Sequence, residues 1–311
     1  MTKLAIVQKA PVFLNKEKTI ARAVGLIEEA ASNGAGLVIF TEAFIPGYPA
    51  WIWRLKPGND YGLTTEIHSL LLKNAVNLES DDLKLLYEAA KLYKVTIVCG
   101  INEREGQLSR ATLYNTVIII GPDGTLLNRH RKLMPTNPER MVWGFGDASG
   151  LKVVDTPSGR IGSLLCWENY MPLARYALYS QDVEIYIAPT YDSGESWIGS
   201  LQHIAREGGC WVVGSGNILK AEDIPDDFPE KARLYPDKNE WINPGDSVVI
   251  APGGKIVAGP MRKETGLLYC DIDCTCVAES KRALDVVGHY SRPDIFTLHV
   301  NTKAMSPVEF D

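Results

Sequence analysis

The sequence predicts an α/β fold with mixed sheets, on three observations. Short apolar runs rich in β-branched residues recur along the chain, helical segments lie between several of them, and three turns join one strand-like run directly to the next. The runs are apolar on both faces, as strands buried on both sides are.

Taken in order, residues 4–7 read as the first strand. Ile20, Val24 and Ile27 at i, i+4 and i+7 form one face of a helix ending near Asn33-Gly34. Residues 37–40 make the next strand, residues 83–93 a helix, and residues 96–99 and 116–120 two more strands. The turn Gly121-Pro122-Asp123-Gly124 closes a hairpin, as do Pro157-Ser158-Gly159 and Pro252-Gly253-Gly254. Residues 161–166 form a buried-type strand, and Pro172 suits the first turn of a helix running to Tyr179. Residues 184–188, 210–214 and 248–251 read as strands and residues 195–206 as a helix. Between Lys220 and Pro244 apolar periodicity disappears and Pro and acidic residues crowd together. That segment reads as a long surface loop, either a lid, an interface, a mobile stretch or a tolerated insertion.

The 311 residues allow about two domains or one large one, and 45% hydrophobic content excludes a disordered chain. No apolar stretch approaches the roughly 20 residues of a membrane span. The apolar run at residues 4–7 is too short for a signal peptide. A net charge of -6 without a basic stripe argues against nucleic acid as a partner. The six cysteines are scattered rather than densely spaced, which points to a reducing cytoplasm.

The chain lacks a Gly-x-Ser-x-Gly elbow, a Gly-x-Gly-x-x-Gly turn, a phosphate-binding loop and a His-Glu-x-x-His pair. Cys270, Cys274 and Cys276 have no zinc-site spacing and read as packing at a strand-to-helix junction. No metal or cofactor is therefore expected. Cys166 differs in closing a buried strand just before a helix, where the helix N-terminus would favour thiolate and the turn would expose the sulfur. A single cysteine is nonetheless more often a small buried hydrophobe. Glu42 sits at the end of another buried strand and needs a partner there. The run Arg129-His130-Arg131-Lys132-Leu133-Met134-Pro135 follows the second strand of a hairpin, and Lys132 alternates inward if Arg131 and Leu133 point outward, although such a basic run is more often a solvated face.

At these segments the sequence resembles the nitrilase branch of the carbon-nitrogen hydrolase superfamily. The resemblance rests on Thr41-Glu42-Ala43-Phe44-Ile45-Pro46-Gly47-Tyr48-Pro49, His130-Arg131-Lys132-Leu133-Met134-Pro135-Thr136, Cys166-Trp167-Glu168-Asn169 and Gly288-His289-Tyr290-Ser291-Arg292-Pro293-Asp294. It implies a four-layer α-β-β-α sandwich, a single domain over residues 1–300 with a tail at 301–311, and a homodimer or larger homo-oligomer, extended in some members into a spiral. The family's catalytic residues would fall on Glu42, Lys132 and Cys166, with an additional acid at Glu139 and the Trp167 backbone N–H as an oxyanion donor. Tyr48, Thr136, Trp143, Asn169 and Tyr170 are the implied substrate-binding residues. Trp51, Trp53, Trp167 and Tyr191 could also line an apolar pocket or pack in the core. Glu168 could brace the turn after the nucleophile or sit in solvent.

The implied reaction is hydrolysis of a small organic nitrile by water through a cysteine thioimidate and acyl-thioester, giving acid and ammonia. Burial and Glu139 should raise the pKa of Glu42 while Lys132 lowers it, so the two acids should titrate as a pair. Cyanide or an amide with the same machinery is the rival substrate, and a non-catalytic assembly scaffold is the rival of another class.

Overall fold

Residues 1–306 and 308 are described by the computed structural model. Strands β1 (Thr2–Gln8), β2 (Leu37–Ile39), β3 (Thr96–Arg104), β4 (Leu113–Ile120) and β5 (Leu126–Arg131) build a first sheet. Helices α1 (Lys16–Ser32), α2 (Tyr61–Asn74) and α3 (Lys84–Tyr93) fall between its strands. The second sheet holds β6 (Val154–Thr156), β7 (Gly159–Ser163), β8 (Ile185–Thr190), β9 (Trp211–Gly216), β10 (Ile218–Lys220), β11 (Trp241–Ile250) and β12 (Ile256–Arg262), with helices α4 (Pro172–Tyr179), α5 (Glu195–Gly208) and α6 (Lys231–Leu234). Strand β13 (Gly266–Ile272) then returns to the first sheet beside β1, and α7 (Thr275–Lys281) follows. Of the expected tail, Pro307 and residues 309–311 lie outside the described residues.

Both sheets are mixed. The first runs in the order β13-β1-β2-β3-β4-β5, with β1, β2 and β3 parallel and the remaining neighbours antiparallel. In the second, β7, β8 and β9 are parallel and the hairpin partners antiparallel. The continuous apolar runs have a simple cause in the two-residue period of a strand. On β1, Leu4 and Ile6 face the other sheet while Ala5 and Val7 lie under the helices. On β8, Ile185 and Ile187 face inward while Tyr186 and Ala188 pack beneath α5. The layers are therefore helix, sheet, sheet and helix, the expected sandwich. Among the described residues no helix is long and apolar enough to cross a membrane.

The expected hairpins and helices form, and the α1 boundaries follow their signals. Asn15 caps it by accepting from Lys18 N at 3.0 Å, and Gly34 takes φ +85° beyond its end. Several readings need correction. Residues 129–131 belong to β5 itself, and Lys132 is the first residue beyond it. The strand read as 161–166 ends at Ser163, so Cys166 opens a 3-10 turn over Cys166–Tyr170. The segment from Lys220 to Pro244 is not a bare surface loop. It contains α6 and the start of β11, and its Phe228, Leu234 and Tyr235 are buried in a cluster with Phe13 and Trp51. Anchoring by a few large side chains needs no helical or strand period, which is why periodicity vanished there.

Candidate active site

Three chain crossings converge where the carboxyl ends of strands from both sheets meet, the usual place for a site in such sheets. Glu42 lies three residues past β2, Lys132 directly after β5, and Cys166 three residues past β7. The turn carrying Glu42 lies against β3 at Gly100. A Cβ at Gly100 would collide with Thr41 O and Ala43 N, so glycine there lets the turn seat. Ala43 and Cys166 take φ of +49° and +51°, each at a cost of about 1–2 kcal/mol that the surrounding packing must hold.

The side chains of Glu42, Lys132 and Glu139 are buried together. Lys132 Nζ donates to Glu42 Oε1 at 3.0 Å and to Glu139 Oε2 at 2.7 Å. Asn115 Nδ2 donates to Glu42 Oε1 at 2.7 Å, and Tyr191 N to Glu42 Oε2 at 2.6 Å. Glu139 also accepts from Thr136 N at 2.6 Å and from the Tyr48 hydroxyl at 2.7 Å. Lys132 thus bridges two carboxylates whose remaining lone pairs are satisfied, the condition under which buried ions are tolerated.

Burial is the largest influence on Glu42 and raises its pKa, Lys132 lowers it and Glu139 raises it again, leaving it above its ordinary value. Burial works against the Lys132 charge, but the fields of Glu42, Cys166 and Glu139 outweigh it and hold the ammonium above its usual range. The Cys166 thiol is pushed up to about 12 by burial and then by Glu42, against the pull of Lys132 and of a hydrogen bond with Thr190. This corrects the reading of an exposed, helix-activated thiolate. The sulfur is buried, and α4 begins only at Pro172, beyond the 3-10 turn. Burial thus favours the thiol over the thiolate.

Glu168 does not lie in solvent. One of its oxygens accepts from Leu165 N at 2.7 Å, the other accepts from Leu133 N at 2.5 Å, and both are 3.2 Å from His130 Nε2. It ties the turn bearing Cys166 to the chain just past Lys132. The Trp167 amide, the expected oxyanion donor, donates to no acceptor in the chain among the described residues.

A cavity of about 250 Å³ opens above Cys166, lined by Tyr48, Trp53, Thr136, Glu139, Trp167, Tyr191, Asp192, Ser193, Ile242, Asn243 and Pro244. Tyr48 and Tyr191 stack with centroids 3.8 Å apart. Tyr48 and Thr136 therefore line it as expected, but three other expected substrate contacts do not. Asn169 is buried, donating to Cys166 O at 2.7 Å and accepting from the Tyr186 hydroxyl at 2.7 Å, so it holds the elbow. Trp143 is buried against Tyr48 with its Nε1 on Asn102 Oδ1 at 3.0 Å. Tyr170 packs edge-on against Trp167 and Trp197, outside the lining. Trp51 belongs to the core cluster. Asn115, Thr190, Asp192 and Asn243 escaped the sequence reading. Of these Asn115 left a weak signal, a polar residue directly before the strand-like run 116–120.

Cys270, Cys274 and Cys276 lie at the junction of β13 and α7, away from this cluster, with Cys276 Sγ donating to Asp273 O at 3.0 Å. All six cysteines are free thiols.

The sequence profile of carbon-nitrogen hydrolases matches residues 3–282. The chain belongs to that family. This hydrolase is 40% identical, over 98% of its own length and 87% of the relative's, to a bifunctional nitrilase/nitrile hydratase of Nicotiana tabacum. It is also 40% identical to Nitrilase 3 of Arabidopsis thaliana, over 99% of this chain and 89% of that one. Among solved structures, a carbon-nitrogen hydrolase from Helicobacter pylori superposes with a TM-score of 0.71 at 18% identity, covering 95% of this chain and 96% of the other. The Saccharomyces cerevisiae Nit3 protein, a member of branch 10 of the nitrilase superfamily, gives 0.71 at 21% identity over 93% and 96%. At such identities these two likenesses establish the fold.

Proposed function

We propose that this hydrolase is a nitrilase, converting a small organic nitrile and two waters to a carboxylic acid and ammonia. The observation that carries the reading is a buried thiol beside a lysine held between two carboxylates, at the floor of an aromatic cavity. Relatives named nitrilases at 40% identity over nearly the whole chain support nitriles over amides.

Cys166 Sγ bonds to the nitrile carbon as its proton passes to Glu42, whose raised pKa suits it to accept and return a proton. Glu42 delivers that proton to nitrogen, giving a thioimidate. It then takes a proton from water, whose oxygen adds to the same carbon. Glu42 returns that proton to nitrogen, the tetrahedral species breaks its C–N bond as the proton of the new hydroxyl passes to nitrogen, ammonia leaves, and a thioester remains. A second water repeats the attack, the C–S bond breaks, and the thiol regains its proton. Lys132 and the free Trp167 N–H stabilise the negative charge that develops at nitrogen and then at oxygen. Loss of one such donor costs about 3–4 kcal/mol of transition-state stabilisation.

If the first tetrahedral species breaks C–S rather than C–N, the product is an amide. The bifunctional name of the tobacco relative favours counting this branch. The test is ammonia, acid and amide release from aliphatic nitriles, arylacetonitriles, benzonitrile, cyanide and the matching amides. Acid and ammonia from organic nitriles support the reading. Turnover of cyanide alone or amides alone overturns it, and no turnover at all favours an assembly scaffold.

The same reading includes a homo-oligomer, supported by exposed apolar side chains such as Leu173 and Phe296. A reducing cytoplasmic setting is supported by six free thiols.

A further inference from the structure

The charge pattern of the cavity bears on which nitriles enter it. No Lys, Arg or His lines it among the described residues. The nearest ammonium, Lys132, lies beneath the floor and is engaged by Glu42 and Glu139. Two carboxylates against one ammonium leave the floor singly negative. Asp192 adds a third carboxylate, in the lining itself, fixed by accepting from Trp167 Nε1 at 2.8 Å and from Ser193 N at 2.8 Å. Aromatic rings share the lining, with Trp53 and Tyr191 parallel to within 5°. Two guanidiniums directly follow lining residues in sequence, and both are engaged elsewhere: Arg54 donates to Glu240 and lies over the Tyr235 ring, and Arg140 donates to Pro135 O at 3.1 Å.

An anion entering such a space meets like charge with no cation to receive it. A cation meets a carboxylate and ring faces. We infer that the enzyme takes nitriles whose R group is neutral or cationic and excludes carboxylate-bearing ones, and that the same field expels its own carboxylate product. This rests on the nitrilase reading above and narrows it.

The test uses nitriles of one chain length ending in methyl, ammonium or carboxylate, with a second trio built on arylacetonitrile, at neutral pH and low salt. kcat/KM for the carboxylate-ended members should fall at least tenfold below the methyl-ended ones, and the ammonium-ended members should equal or exceed them. Added salt should narrow the spread. Asp192→Asn, which keeps an oxygen for the Trp167 indole, should shrink the ammonium-to-carboxylate ratio about tenfold. The ratio is taken within each variant, so any general loss of activity cancels. Equal turnover of carboxylate-ended and methyl-ended nitriles overturns the inference, and an unchanged ratio in Asp192→Asn overturns the part given to Asp192. Ammonia from none of the six compounds would instead sink the nitrilase reading.

Discussion

Residue by residue, the site depends on satisfied buried charge, and two residues outside the proposed catalytic set expose that dependence. Glu168 uses both oxygens on backbone N–H groups, one beside Cys166 and one beside Lys132. Glu168→Gln replaces one acceptor by a donor facing an N–H, a loss of about 1.5–3 kcal/mol for a charged hydrogen bond. The expected result is kcat lowered tenfold or more at nearly constant KM, read by steady-state kinetics, because the change loosens the reacting groups without touching the cavity lining. Asn115 acts on protonation. Its amide donates to the Glu42 carboxylate and so lowers that pKa, in opposition to burial. Asn115→Ala removes the donor, which raises the Glu42 pKa further. The proposed mechanism requires the carboxylate form, so the acid limb of the kcat/KM profile should move to higher pH. A limb that stays in place would separate Glu42 from the proton transfer.

For the elements, the sequence was most legible where burial imposes a period. β1, β2 and β8 were readable because both faces of each are covered, and α1 because its apolar stripe and its Asn15 and Gly34 signals agree. The proposed catalytic trio could be picked out because Glu42, Lys132 and Cys166 each stand just past a strand and in recognisable motifs. What stayed hidden depends on contacts across the chain. Nothing local distinguishes Asn169 as a brace for the elbow from Asn169 as a substrate contact, since its partner Tyr186 lies on β8. The thiol pKa was misread because the helix terminus was local and visible while the burial was not. The segment from Lys220 to Pro244 hid its anchors for the same reason. Phe228 packs edge-on to Phe13 at 6.0 Å and tilted against Trp51 at 5.9 Å, and Arg54 pins the segment through Glu240 and Leu234 O. Phe228→Ala should cost about 3–4 kcal/mol in urea denaturation. It should also weaken substrate binding, since Ile242 and Asn243 at the segment's end line the cavity. A truly solvated loop would show neither effect.

As a whole molecule, the enzyme assembles its site from both sheets, with Glu42 and Lys132 from the first and Cys166 and Thr190 from the second. The seam between them is apolar except at points such as Gln8 on β1, which accepts from Ser247 N at 2.9 Å and donates to Met261 O at 2.8 Å. Neither half keeps its inner face dry without the other, so the chain should unfold in one transition, with tryptophan fluorescence, circular dichroism and activity lost together. Two separated transitions would make it two domains. The account's central claim is that Cys166 is the covalent nucleophile, and the most direct measurement is intact-protein and peptide mass spectrometry of enzyme quenched during nitrile turnover. The predicted result is an added thioimidate or acyl mass on the Cys166 peptide of the wild type, with neither adduct nor turnover in folded Cys166→Ala. Turnover retained in that variant, or an adduct mapped to another cysteine, would contradict it.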